Sequence, residues 1–146
     1  MSTNEKEMFG HPLLLHANTV RKGVMTRSPL KFPGGKYRFV ERLKYLFPPT
    51  TQKYVEPFLG GGSIALNVNY PEIVVNDLNR DLTDFWVIFQ RDPRNFVNAC
   101  QEMFCSETNN AETYYSFRSE FNASQNGTLR KSVLFLYLNR HGFNGN

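Results

Sequence analysis

Apolar positions in this chain come in short blocks with two different periods. From Lys36 to Phe47 they stand at Phe39, Val40, Leu43, Leu46 and Phe47, which is the spacing of one helix face, and Pro48-Pro49 ends the run. Lys53 to Phe58 reads as a short strand, Leu59 to Gly62 as a glycine turn, and Ser63 to Asn69 as the start of a helix carrying Ile64, Ala65, Leu66 and Val68. Glu72 to Asn76 reads as a second strand. From Asp81 onward the period is helical. Leu82, Phe85, Trp86 and Phe89 form one face, and Pro93 opens a helix with Phe96, Val97, Cys100 and Phe104. A third helix is expected from about Ala111 to Asn122 with Tyr114, Tyr115, Phe117 and Phe121. After the turn Ser124-Gln-Asn-Gly127, a fourth runs from Leu129 to Asn139. The aromatics of these helices read as core. Residues 1–27 show no sustained period and read as a flexible extension.

Composition changes this picture little. A length of 146 residues with 40% hydrophobic and 21% charged positions suits one folded domain with a real core. The net charge of +4 permits an anionic partner, and Lys and Arg are enriched between Arg21 and Lys53. No apolar run reaches membrane-spanning length, and Pro12-Leu-Leu-Leu15 is too short for a secretory core, so a cytoplasmic protein is expected. Cys100 and Cys105 lack C-x-x-C spacing and read as reduced, partly buried thiols on a helical segment. His11, His16 and His141 are scattered, so no metal is expected.

Three stretches carry candidate chemistry. The first strand breaks at Tyr54-Val-Glu-Pro-Phe-Leu-Gly-Gly-Gly-Ser63, where three glycines leave the backbone open to a nucleotide-like ligand. The turn lacks the G-x-G-x-x-G spacing of a dinucleotide site and the Gly-Lys-Ser/Thr of a phosphate loop. Upstream, Lys31-Phe-Pro-Gly-Gly-Lys36 is either a capped loop before a helix or a ligand site lined by Phe32 and Lys36. Downstream, Asp77 at the end of the second strand suits ribose hydroxyls, although taken alone its neighbours Asn76 and Asn79 favour a helix cap.

Taken in order, these motifs resemble the Dam-type DNA adenine-N6 methyltransferases. Lys31-Phe-Pro-Gly-Gly-Lys-Tyr37 is similar to the family's opening Lys-Trp-Ala-Gly-Gly-Lys, with Phe for Trp. Val55 to Ser63 is similar to its glycine motif, Asn76-Asp-Leu-Asn79 to its acidic motif, and Phe135 to Gly145 to its Leu-Asn-Arg-x-Gly-Tyr/Phe-Asn-Gly segment. The resemblance covers about Pro29 to Gly145. It implies an α/β chain with a Rossmann-like S-adenosylmethionine-dependent methyltransferase fold, incomplete here, with a helical DNA-recognition insert after the second strand. Residues 28–80 would begin the cofactor domain and residues 81–146 the target-recognition domain, truncated. The implied cofactor is S-adenosyl-L-methionine, and the implied partner is double-stranded DNA, usually at GATC. Phe32, Lys36, Glu56, Pro57, Phe58, Gly60, Gly62, Ser63 and Asp77 would bind the cofactor. Phe32 would stack near it, Lys36 would meet its carboxylate end and Asp77 its ribose. Lys31, Arg140, Phe143 and Asn144 would contact DNA. A monomer without membrane or metal attachment is expected.

The family's catalytic Asp-Pro-Pro-Tyr does not occur in these residues. The one Asp-Pro, Asp92-Pro93, continues with Arg94 and Asn95. Without that motif nothing orients the adenine amine for attack on a sulfonium methyl. The 146 residues are therefore expected to be an amino-terminal fragment, inactive alone and marginally folded. The competing readings are a non-catalytic truncated remnant that binds DNA or cofactor, and a nicotinamide-dependent oxidoreductase, which the glycine spacing argues against. A cytosine-C5 enzyme is excluded because neither cysteine follows a proline.

Overall fold

The computed structural model describes the backbone of residues 13–16 and, in full, residues 25–49 and 51–142. The chain divides into two units, residues 1–79 and 80–146.

The first unit is built on a three-stranded sheet. β1 (Leu13–His16), β2 (Lys53–Glu56) and β3 (Glu72–Val75) lie in the order β1-β3-β2. β2 runs parallel to β3, with Lys53 opposite Glu72 and Glu56 opposite Val75. β1 runs antiparallel, from Leu13 opposite Val75 to His16 opposite Glu72. The ladder between the parallel strands continues past their formal ends, because Asn76 N–H donates to Glu56 O and Leu59 N–H to Asn76 O, both at 2.9 Å. Ile73 and Val75 alternate inward, and Val40, Leu59, Ala65 and Val68 are buried with them in this unit.

Several expectations are corrected here. β1 falls in the stretch read as a flexible extension, and it makes the sheet three-stranded. A run of Leu-Leu-Leu-His has no alternation to read, and its pairing partner lies far along the chain. Thr26 is also held: its N–H donates to Asn67 Oδ1 at 2.7 Å, and Asn67 Nδ2 donates to Thr26 O at 2.8 Å. The remainder of that expected extension up to Val24 lies outside the described residues. The helix expected over Lys36–Phe47 shrinks to a 3₁₀ turn, Tyr37–Phe39, followed by α1 (Val40–Lys44). Only Val40 of α1 is buried, while Phe39 and Leu46 face solvent. The spacing suits a helix, but little packs on its apolar side to lengthen it. The helix expected to start at Ser63 is one 3₁₀ turn, Ala65–Asn67. Asn67 spends its side chain on Thr26 and on Ser63 O at 2.8 Å, and Val68 is already extended on the way to β3.

The second unit is helical: α2 (Arg80–Arg91), α3 (Pro93–Met103), α4 (Ala111–Ala123) and α5 (Leu129–His141). Each of the last three helices opens on a side-chain cap. Asp92 accepts from Asn95 N–H, Asn110 from Thr113 N–H, and Thr128 from Lys131 N–H. Leu82, Phe85, Trp86, Phe96, Val133, Leu134 and Tyr137 are buried. Phe85 meets Trp86 and Phe96 edge to face at 5.0 and 5.4 Å. Tyr137 is fully buried, and its hydroxyl donates to Thr108 O. Across α4 and α5, Arg130 Nε and Nη2 donate to the two Glu120 oxygens at 2.6 and 2.7 Å.

Two readings in this unit need correction. Cys105 is not helical. α3 ends at Met103, where the Thr108 hydroxyl donates to Met103 O at 2.6 Å and accepts from Cys105 N–H at 3.3 Å. Cys100 and Cys105 are both free and half-buried, and burial pushes the Cys100 thiol up to about 11. The helical aromatics are not all core. α4 buries none of its residues fully, and Tyr115 and Phe104 are exposed. Among the described residues, no helix is long and apolar enough to cross a membrane.

Candidate functional site

The glycine turn leaves the carboxyl end of β2, and the Pro33-Gly-Gly loop packs against it. Gly60 and Gly62 have φ of +49° and +71°, conformations that L side chains rarely adopt. Gly60 is also crowded, since a Cβ there would sit 3.1 Å from Phe32 Cε1. One added at Gly61 would sit 3.2 Å from Phe32 Cβ. The glycines thus let an aromatic ring lie directly on backbone. The turn is closed by Gly62 N–H donating to Leu59 O at 2.9 Å, and the upstream loop by Gly35 N–H donating to Phe32 O at 3.1 Å.

Between the loop and the turn lies a cleft of about 310 Å³, the size of a small-ligand pocket. Phe32, Lys36, Glu56, Phe58, Gly60 and Ser63 line it. These six expected cofactor residues are brought together from sequence positions 31 residues apart at most. Phe58 is 84% exposed and Phe32 39%, so both rings offer free surface at the cleft. Lys36 Nζ is folded over the loop and donates to Gly34 O at 2.9 Å.

Glu56 is the unusual group. Its Oε2 accepts from Ala65 N–H at 3.1 Å, and the Tyr54 hydroxyl also bonds to it. Burial nevertheless pushes its carboxyl up to about 7, outweighing those two bonds, which favour the anion. Tyr54 is pushed up as well, first by burial and then by the Glu56 charge.

Pro57, Gly62 and Asp77 do not line the cleft. Asp77 acts on its wall from behind: Oδ2 accepts from Gly60 N–H at 2.8 Å and Oδ1 from Asn79 N–H at 3.0 Å. The carboxylate therefore fixes the glycine turn and caps the local bend at once. Lys31 is exposed beside Phe32, and Arg140 is exposed in the last turn of α5. Phe143 and Asn144 lie outside the described residues. Sequence reasoning left out Pro33, Gly34, Gly35, Leu59, Gly61 and Ile64, which also line the cleft. The run of three glycines and the Pro-Gly-Gly turn were the signals that pointed to most of them. A second, more open cavity of about 370 Å³ in the helical unit is bordered by Asn109, Tyr114, Tyr115 and His141, among others. Among the described residues, no group of three or more His, Cys, Asp or Glu side chains is placed to hold a metal.

Comparison with known proteins bears on this arrangement. Residues 32–146 match the model of the D12 class N6 adenine-specific DNA methyltransferases. Over 119 residues, 82% of the chain, it is 44% identical to the DNA adenine methylase of Escherichia coli (strain K12). Over the same length it is 43% identical to that of Salmonella typhi and 38% identical to that of Vibrio cholerae serotype O1. In each case the match covers 42% of the relative, so the chain spans less than half the length of the methylases it resembles. The cleft and its glycine turn lie wholly inside the matched region, and the chain belongs to the D12 class N6 adenine-specific DNA methyltransferase family.

Proposed function

We propose that this chain supplies the cofactor cleft and the first DNA-recognition helices of an adenine-N6 DNA methyltransferase that takes S-adenosyl-L-methionine and acts on duplex DNA at GATC. The observation that carries this reading is the cleft at the carboxyl end of a parallel strand in a chain of that family. In this reading the sheet is the opening of a Rossmann-like methyltransferase domain.

The wall residues suit such a ligand. Phe32 and Phe58 offer aromatic faces to an adenine ring. The glycine turn admits an elongated ligand against backbone, and Asp77, outside the cleft lining, serves the ligand by holding that turn through Gly60 N–H. Lys36 exchanges its Gly34 bond for a ligand carboxylate, and Glu56 faces the ligand's positive end. The bound cofactor supplies the methyl group. Lys31, Arg140, Phe143 and Asn144 contact DNA. With no Asp-Pro-Pro-Tyr in the 146 residues, the chain by itself does not methylate.

Equilibrium dialysis with labelled S-adenosylmethionine tests the cleft. The expected result is saturable binding that Gly60→Val abolishes, with no methyl incorporated into GATC duplex. Binding that survives Gly60→Val places the ligand elsewhere. No saturable binding overturns the cofactor assignment, and methyl incorporation overturns the inactivity.

A further inference from the structure

We propose that a cationic ligand enters the cleft together with release of a proton from the Glu56 carboxyl, so that this residue, rather than Lys36, sets how ligand affinity varies with pH. The inference rests on the cofactor reading above. It adds the charge state in which the cleft waits for its ligand.

Glu56 stands at the carboxyl end of β2, on the cleft wall, with one oxygen tied to Ala65 N–H. Among the described residues, no cation is paired with it. Lys53 is committed to Glu72 at 2.9 Å, and Lys36 is turned to Gly34 O. The groups around Glu56 are few. On its own strand is Tyr54, whose ring stacks on Tyr70 at 5.8 Å. On β3 its partner is Val75, which does not titrate, and the Ala65–Asn67 turn carries no ionisable side chain. Lys36 lines the same cleft, and Asp77, bonded to the glycine turn, is engaged with two N–H groups. Burial without a counter-ion keeps the carboxyl largely neutral up to about pH 7.

A ligand with a sulfonium and an ammonium brings the missing counter-charge. An opposite charge within a few ångström lowers a carboxyl's pKa by about 1–3 units. Glu56 then ionises in the complex, and its proton passes to solvent. At pH 6.5 about three quarters of the free chains hold that proton, so binding should release about 0.5–0.8 proton per ligand. Through this group, affinity should rise about five- to tenfold from pH 6 to pH 8.

Titration calorimetry of the 146-residue chain with S-adenosylmethionine, in buffers of different ionisation heat, counts the protons. The expected result is release at pH 6.5 that disappears at pH 8.5, where the carboxyl is already ionised. Glu56→Gln should bind more weakly than the wild type at pH 8, release no proton at pH 6.5 and lack the rise in affinity with pH. Equal proton counts and pH slopes in the two proteins overturn the inference but leave the cofactor reading standing. Release by the wild type that persists unchanged at pH 8.5 overturns it as well. Absence of binding at every pH removes both.

Discussion

At the scale of residues, Glu56 ties stability to pH in a direction opposite to most carboxylates. Its folded-state carboxyl titrates near 7 against an ordinary 4.5, so the folded chain binds more protons than the unfolded chain between those values. Stability is therefore fullest below about pH 4.5 as far as this group is concerned, and it is lost as pH rises to about 7. Allowing for solvent around a partly exposed group, the loss is on the order of 1–2 kcal/mol. Glu56→Gln keeps an acceptor for Ala65 N–H and removes the charge. Urea unfolding at pH 5 and pH 8 should show the wild type losing stability by that amount and the variant losing markedly less; parallel losses would mean that Glu56 is solvated. The resemblance to the family named Glu56 as a cofactor residue, through the motif that ends in the glycine run. It could not show that Glu56 would be buried without a cation, since that depends on where Lys36 and Lys53 turn. Asp77 illustrates the same limit. Its neighbours favour a helix cap over a ribose ligand, and the bond to Gly60, seventeen residues away, belongs to neither reading.

At the scale of elements, legibility follows length. α2 to α5 hold 11 to 13 residues each, enough for three turns of apolar period, the last three open on side-chain caps, and their bounds lie close to those read from the sequence. The short pieces around the cleft are set by tertiary contacts instead. The crossover from β2 to β3 contains one 3₁₀ turn, and its buried centre is Asn67, 3% exposed. Its amide bonds to both backbone groups of Thr26 and to Ser63 O, fastening the approach to the Pro-Gly-Gly loop beside the glycine turn. Asn67→Ala leaves three backbone groups to find other partners and should cost about 2–3 kcal/mol. Hydrogen exchange at the Thr26 amide should speed up sharply in the variant, beyond what the global loss explains. An unchanged Thr26 rate would show that another contact holds this segment. No apolar period in the sequence marks Asn67, because its role is to imitate a strand partner rather than to fill a core.

At the scale of the whole molecule, the two units differ in how well they cover their apolar surface. The helical unit closes a core around Phe85, Leu134 and Tyr137, and it contains the chain's single tryptophan, Trp86, 4% exposed. The sheet-bearing unit leaves Tyr45, Leu46, Val55, Phe58 and Leu78 largely open to solvent, and β2 ends its sheet as an edge strand carrying one of them. Exposed apolar residues grouped in one unit, some at a ligand cleft, form a surface that apolar probes should find. The chain should therefore bind an anilinonaphthalene-sulfonate dye in native buffer while Trp86 keeps the blue-shifted emission of a buried indole. That pairing matters, because dye binding alone also marks a loosened core. Phe58→Ser should remove a substantial part of the dye signal without shifting the tryptophan emission, and a ligand filling the cleft should do the same. Dye binding with red-shifted Trp86 emission would place the exposed surface in an opened helical core instead. A dye signal indifferent to Phe58→Ser would move the patch away from the cleft, to the side of the unit where Tyr45 and Leu46 lie.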